Sequence, residues 1–263
     1  MSDASTTFRR LHEGPGVLLL PNAWDVGSAL AFVAAGFPAV GTTSFGVGAA
    51  AGHPDGRGAS RDATVALVAR LRGLPVPLSV DVEDGYATDP DDVAAFVARL
   101  GVAGINLEDS ADGTLVDPGA LAEKIAAVRA VAPDVFVNAR VDTYWFHQSD
   151  TVDATLARAR RYVEAGADGV FVPGLAEPDA IRAVTAALDV PVNLLPVPGL
   201  TVDELGRLGV RRVSTGSLPY RAAVDAAVAA AARLRDGEPP VAATSYAEAQ
   251  ARLAAFEDGT LGR

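Results

Sequence analysis

The chain has 263 residues, 49% of them apolar and 21% charged, with a formal net charge of −11. This composition supports a large buried core and excludes a disordered chain, while the acidic balance argues against nucleic acid or an anionic membrane surface as partner. The absence of cysteine excludes disulfides, thiolate metal sites and a thiol nucleophile or acid, and fits a cytoplasmic protein.

The first segment, "MSDASTTFRRLHEGPG", is polar and has no apolar run of the signal-peptide kind. From there β-branched apolar runs alternate with helical segments. The expected strands are "VLLLP" (17–21), "PAVGTTS" (38–44), "VPLSVDV" (76–82), "VAGINLE" (102–108), "DVFVNAR" (134–140), "DGVFVPG" (168–174), "VPVNLLP" (190–196) and "VRRVSTG" (210–216). Between them lie "DVGSALAFVAAG", "SRDATVALVARLRG", "DPDDVAAFVARLG", "DPGALAEKIAAVRAVA", "TVDATLARARRYVEAG", "EPDAIRAVTAALD" and "TVDELGRLG", several opening on Ser, Thr or Asp and closing on Gly as helix caps require. The Ala-rich "AAVDAAVAAAARL" is broken by Asp225 and is read as a helix rather than a membrane span. Eight strand–helix units match an α/β fold of the (β/α)8 TIM-barrel type, and no G-x-G-x-x-G follows the first strand to favour an open dinucleotide-binding sheet. The expected organisation is one barrel domain over 1–263, with 239–263, which contains "SYAEAQARLAAFED", as a C-terminal helical extension.

Chemistry in such barrels sits at the C-terminal ends of the strands. The third strand ends in "SVDVEDGY", and the fourth ends in Glu108 and Asp109. Neighbouring strands lie about 4.8 Å apart, so Asp81, Glu83 and Glu108 should meet at one rim. Their mutual repulsion calls for a cation. An all-oxygen donor set selects a hard ion, magnesium, with manganese as a possible substitute. Asp81 is expected to bind directly, with Glu83 and Glu108 holding metal-bound water. Asp84, Asp89, Asp91, Asp92 and Asp109 are read as helix caps or solvated acids. Arg140 is the strand-end cation suited to grip a carboxylate with its fork. Asn193 lies on the seventh strand, and His53 and His147 fall in loops near the same rim.

The segments "GTTSFGVGAAAGHPDG", "SVDVEDGY", "GINLEDS" and "VNARVDTY", in this order, resemble the isocitrate lyase/phosphoenolpyruvate mutase superfamily, over about residues 15–235. The resemblance implies that Asp81 binds magnesium, that Glu83 and Glu108 act through water, and that Arg140 binds the substrate carboxylate. It further implies that Asp55 lies beside the substrate and that Thr43, Ser44 and Phe45 cradle its carboxylate. It implies a homo-oligomer, usually a tetramer built as a dimer of dimers, in which the last barrel helix is exchanged between subunits.

Two departures narrow the chemistry. "DSADGTLVD" stands where the lyases that cleave isocitrate or 2-methylisocitrate carry a cysteine loop, and Pro173 stands where the mutases carry a histidine. What remains is a site for a 2-oxo acid. The expected activity is magnesium-dependent carbon–carbon lysis of a small, oxaloacetate-like 2-oxo acid, or of a precursor yielding one, through a metal-stabilised enolate, with Tyr86 and water as the proton source. The alternatives are phosphonopyruvate hydrolysis or other carbon–phosphorus chemistry, and a barrel that binds a 2-oxo acid without turnover.

Overall fold

The computed structural model describes residues 3–56 and 58–261. Its strands, in chain order, are β1 (Leu18–Leu20), β2 (Asn22–Ala23), β3 (Val40–Thr42), β4 (Leu78–Asp81), β5 (Gly104–Glu108), β6 (Ser110–Ala111), β7 (Thr114–Leu115), β8 (Phe136–Arg140), β9 (Gly169–Phe171), β10 (Val192–Leu194) and β11 (Arg212–Ser214). Nine of them form one parallel sheet in the order β1-β11-β10-β9-β8-β5-β4-β3-β2. β1 and β2 are two halves of one stave interrupted at Pro21. The first half pairs with β11 and the second with β3, so the ring of eight staves nearly closes. All eight expected runs therefore form staves of a (β/α)8 barrel.

The helices are α1 (Asp3–Glu13), α2 (Val26–Ala34), α3 (Ser44–Ala50), α4 (Arg61–Arg70), α5 (Pro90–Leu100), α6 (Pro118–Val131), α7 (Val152–Glu164), α8 (Pro178–Ala186), α9 (Val202–Arg207), α10 (Leu218–Arg235) and α11 (Tyr246–Glu257). Most cap residues act as their types predict, although Ser60 at the head of α4 makes no cap bond. Asp25, Asp89, Asp117, Thr151, Thr201 and Ser245 each accept a backbone N–H from the first turn of the following helix.

Strand register divides the core in two. Val80, Ile105, Leu107, Val137, Val170, Val192 and Val213 face outward and pack under the helices. A smaller cluster of Phe8, Leu18, Leu20, Ala39, Ala103 and Phe136 fills the inner floor of the barrel. α1, unread in the polar N-terminal sequence, supplies that floor. Phe8 is fully buried, and a Cβ at Gly104 would stand 2.6 Å from its ring, so the stave must be bare there. His12 stacks on Phe136 at 4.2 Å and donates from Nδ1 to the Phe8 carbonyl. Arg9 and Arg129 both pair with Asp168, tying α1 and α6 to the foot of β9.

At the opposite end of the sequence, α10 and α11 have no buried residue. Val224, Val228 and Leu234 on α10 are 46%, 65% and 58% exposed, which leaves that helix with an uncovered apolar surface. Among the described residues no helix is long and apolar enough to cross a membrane.

Candidate active site

A cavity of about 560 Å³ opens at the C-terminal ends of the staves. Carboxylates of Asp55, Glu83, Asp84, Glu108 and Asp112 line it, together with Arg140, Ser44, Tyr86, Trp145 and Phe146.

β4 positions the first carboxylates. Asp81 ends that strand and is 9% exposed. Its Oδ2 accepts from both the backbone N–H (3.1 Å) and the hydroxyl (2.9 Å) of Ser44, while Oδ1 accepts no hydrogen bond from the described residues. The chain then turns through left-handed backbone at Glu83 (φ 51°), Gly85 (φ 96°) and Tyr86 (φ 60°). Left-handed backbone at non-glycine residues costs on the order of 1–3 kcal/mol each and tends to persist at functional sites. Here it turns Glu83 toward α4, where its carboxylate accepts from Ser60 Oγ and from the Gly58 N–H. Ser60 also bonds the Tyr86 hydroxyl at 2.8 Å, which makes a chain Tyr86–Ser60–Glu83. Burial pushes the Glu83 carboxyl above its ordinary value; Ser60 and Gly58 oppose this, and Asp81 and Asp55 add to it. Burial raises the Tyr86 phenol as well, so it stays protonated at neutral pH.

β5 and β8 pair Glu108 with Arg140 in register. Arg140 Nη1 lies 2.7 Å from Glu108 Oε2, and its Nε 2.6 Å from Asp142 Oδ1. Burial opposes the charge on Arg140, but Glu108, Asp142 and Asp81 outweigh it and hold the guanidinium charged. Burial raises Glu108 well above the usual carboxylate range; Arg140 pulls it down, and Asp142, Asp81 and Glu83 push it up again. The guanidinium also stands 5.8 Å from the ring centres of Trp145 and Phe171.

Asp55 enters from the loop after α3. Partial burial in the cleft and the Asp81 charge raise its carboxyl, while Arg140 lowers it. Asp55, Glu83, Glu108, Arg140, Tyr86 and Ser44 are thus brought to one cavity, with Asp81 tied to it through Ser44. Thr43 instead caps α3, and Phe45 packs on Tyr220. The amide cradle expected from Thr43–Phe45 is largely used within the chain, since the Thr43 N–H goes to the Ala23 carbonyl and the Ser44 N–H to Asp81. Asn193 is fully buried inside the barrel, bonded to Ser214, and does not line the cavity. His53 and His147 are exposed, and neither lines it. Asp109 is no cap or solvated acid but fully buried, gripping Arg158 and the Tyr162 hydroxyl and accepting the Asp142 N–H.

Three site features escaped the sequence reading. Ser60 links Glu83 to Tyr86. Asp142 orients Arg140, and its position two residues beyond Arg140 on the same strand end was the available signal. Residues 110–115 form a hairpin, β6–β7, whose turn residues Asp112 (φ 50°) and Gly113 (φ 76°) suit a tight two-residue turn. Gln148 bonds both the Leu115 N–H and the Gly113 carbonyl, which anchors the hairpin to the loop after β8.

The donor set fits a hard divalent cation. Asp81 keeps one oxygen uncommitted among the described residues, and the carboxylates and hydroxyls that line the cavity offer oxygen ligands. Among the described residues no three acidic or imidazole groups converge as a direct cage. That is compatible with magnesium, which commonly keeps several waters and takes only one or two carboxylates.

The fold and the site define an eight-stave barrel protein with an acid rim at its strand ends and an arginine, Arg140, held between two carboxylates. The particular family follows from comparison: residues 8–235 match the phosphoenolpyruvate phosphomutase family, and the chain belongs to it. An uncharacterized protein of Mycobacterium tuberculosis is 54% identical over 97% of this chain and 98% of its own length. The 2-methylisocitrate lyase of Bacillus subtilis is 29% identical over 83% of this chain and 77% of its own. Among solved structures, a Burkholderia cenocepacia protein described as a candidate phosphonomutase superposes with a TM-score of 0.82 at 42% identity, covering 87% of this chain and 98% of its own.

Proposed function

We propose that this chain is a magnesium-dependent carbon–carbon lyase that releases or consumes a small 2-oxo acid. The observation that carries the reading is Asp81, with one oxygen fixed by Ser44 and the other without a hydrogen bond among the described residues, set among Glu83, Glu108, Asp55 and Arg140. Lyase names among the relatives support the class. A bound cation would supply Lewis acidity toward a carbonyl oxygen as negative charge develops there. Asp81 would hold it directly, and Glu83 and Glu108 through water.

The chain's own groups do the rest. Arg140, held by Glu108 and Asp142, presents its remaining N–H donors to the substrate carboxylate. Asp55 and Tyr86 stand on the cavity wall, where a proton would be moved once the carbon–carbon bond breaks. Decarboxylation of an oxaloacetate-like acid asks only for this electron sink and a later proton. Retro-aldol cleavage of a hydroxy acid also needs a base for the hydroxyl. The hairpin at 110–115 lines the cavity and carries no Lys or Arg to hold the further carboxylates of a tricarboxylate.

Isocitrate and 2-methylisocitrate should accordingly be poor substrates. The test is kcat/KM with magnesium for isocitrate, 2-methylisocitrate, oxaloacetate and phosphonopyruvate. A preference for isocitrate of about tenfold or more, equal to about 1.4 kcal/mol in the transition state, contradicts this part of the reading. Carbon–phosphorus chemistry is the second reading, favoured by the likeness to the candidate phosphonomutase, and turnover of phosphonopyruvate above all others would select it. Binding of oxalate with magnesium but no turnover of any of the four would instead select a 2-oxo acid binding protein. The uncovered face of α10 supports self-association, with helix exchange in a homotetramer as the proposed arrangement.

A further inference from the structure

Arg212 is the largest fully buried side chain among the described residues, only 1% exposed, and it lies on the inner face of β11. Among the described residues no carboxylate reaches ion-pair distance of it. Its Nε donates to Ser214 Oγ at 2.9 Å and its Nη2 to Asn106 Oδ1 at 3.1 Å, while Nη1 has no hydrogen-bond partner among the described residues. Its guanidinium carbon stands 5.9 Å from the Phe8 ring on the barrel floor. A sealed cation without a counter-ion is costly.

Its neighbours lead to the acid rim. Asn106 accepts from Arg212 and from Asn138 Nδ2, and Asn106 is the register partner of Asp81 on one side and of Asn138 on the other. Arg140 follows Asn138 by two residues on the same face of β8. Asn106 therefore links Arg212 to the strand ends that carry Asp81 and Arg140. Burial lowers the Arg212 pKa to about 9, against the pull of the Asp81 carboxylate, and the group remains charged at neutral pH.

We propose that Arg212 is a positioning residue for the cavity above it: a fixed positive charge, shielded from solvent, that favours the anionic substrate and moderates the affinity of the acid rim for a divalent cation. The inference rests on the cation-and-2-oxo-acid reading of that rim. It predicts opposite effects on the two ligands when the charge is removed, a pattern that loosened packing does not produce.

The experiment is calorimetric titration of the full chain with Mn2+ alone, and then with oxalate at saturating Mn2+. It is run on the wild type, Arg212→Met, Arg212→Gln and Arg212→Lys. The uncharged variants should bind Mn2+ roughly tenfold more tightly and oxalate roughly tenfold more weakly, the size of a through-space charge effect at an effective dielectric near 20. The Gln variant keeps an amide for Asn106, so it isolates charge from hydrogen bonding. The Lys variant keeps the charge, and both its affinities should stay within about threefold of wild type, well under the effect of losing a charge. Affinities that fall together, or do not move, in a folded Met or Gln variant overturn the role. If neither uncharged variant folds, the Lys variant decides: affinities near wild type support a charge role, and a tenfold loss of both contradicts it. A wild-type chain that takes up no Mn2+ overturns the proposed function first, and this inference with it.

Discussion

Arg140→Lys is the perturbation whose size the structure fixes best. The guanidinium spans two acids, with Nη1 2.7 Å from Glu108 and Nε 2.6 Å from Asp142, and these side chains are 14%, 16% and 0% exposed. An ammonium keeps the charge but cannot reproduce the fork, so it can follow only one of the two acids. The lost charge-assisted bond is worth about 1.5–3 kcal/mol. The same lost fork should cost the transition state about 2 kcal/mol or more, near thirtyfold in kcat/KM. Arg140→Met goes further and leaves Glu108 and Asp142 buried without a counter-charge, which costs about 3–5 kcal/mol. That deficit has a pH signature. Without Arg140 the carboxyl of Glu108 rises further above its ordinary 4.5. The folded state then holds the proton more tightly than the unfolded chain does. The penalty is therefore smallest in acid and grows as pH rises through the folded pKa. Urea unfolding across pH gives the stabilities, and initial rates give kcat/KM. A Lys variant with wild-type stability and wild-type kcat/KM refutes the clamp.

Asp81→Asn should abolish magnesium-dependent turnover. In chelator it should also raise Tm by relieving repulsion with Asp55, Glu83 and Glu108, by roughly 2–4 °C per kcal/mol relieved; full activity of the wild type in chelator contradicts the metal reading. His12, pushed down from 6.5 to about 3 by burial and by Arg212, is neutral when folded but protonates when unfolded. Its contribution is complete above pH 6.5 and is lost as pH falls toward 3, about 2 kcal/mol by pH 5. His12→Gln should remove that part of the acid sensitivity, and equal pH dependence of the two proteins in urea unfolding counts against it. Deleting residues from Pro239 onward, which removes α11, should weaken self-association in light scattering, and a monomeric intact chain contradicts the proposed assembly.

The barrel was legible because hydrophobic period and cap chemistry agree in most units, as in "DPDDVAAFVARLG", where Asp89 caps, Pro90 opens the helix and Gly101 takes the left-handed end at φ 63°. α1 was hidden because its packing rests on Phe8 inserting opposite a bare glycine and on His12 stacking on Phe136, tertiary fits that no local pattern announces. The rim carboxylates were legible from their strand-end positions. The direction each side chain takes was not, because left-handed backbone at Glu83 and Tyr86 swings them toward Ser60, 26 residues from Tyr86 in sequence. Asp109 was misread for a related reason: "LEDS" does not reveal that Arg158 and Tyr162, about fifty residues on, close over it (|i−j| 49 and 53). The hairpin at 110–115 could have been read from its Asp-Gly pair.

The central claim is that this cavity stabilises negative charge on a 2-oxo acid with the help of a divalent cation held at Asp81. Its most direct test is proton NMR of pyruvate in D2O, because exchange at C3 reports enolate formation whatever substituent the natural substrate carries. With the protein and magnesium, the methyl signal should decay faster than with magnesium alone, and the difference should vanish in chelator and in Asp81→Asn. Exchange no faster than with magnesium alone, or equally fast in the Asp81→Asn variant, contradicts the account.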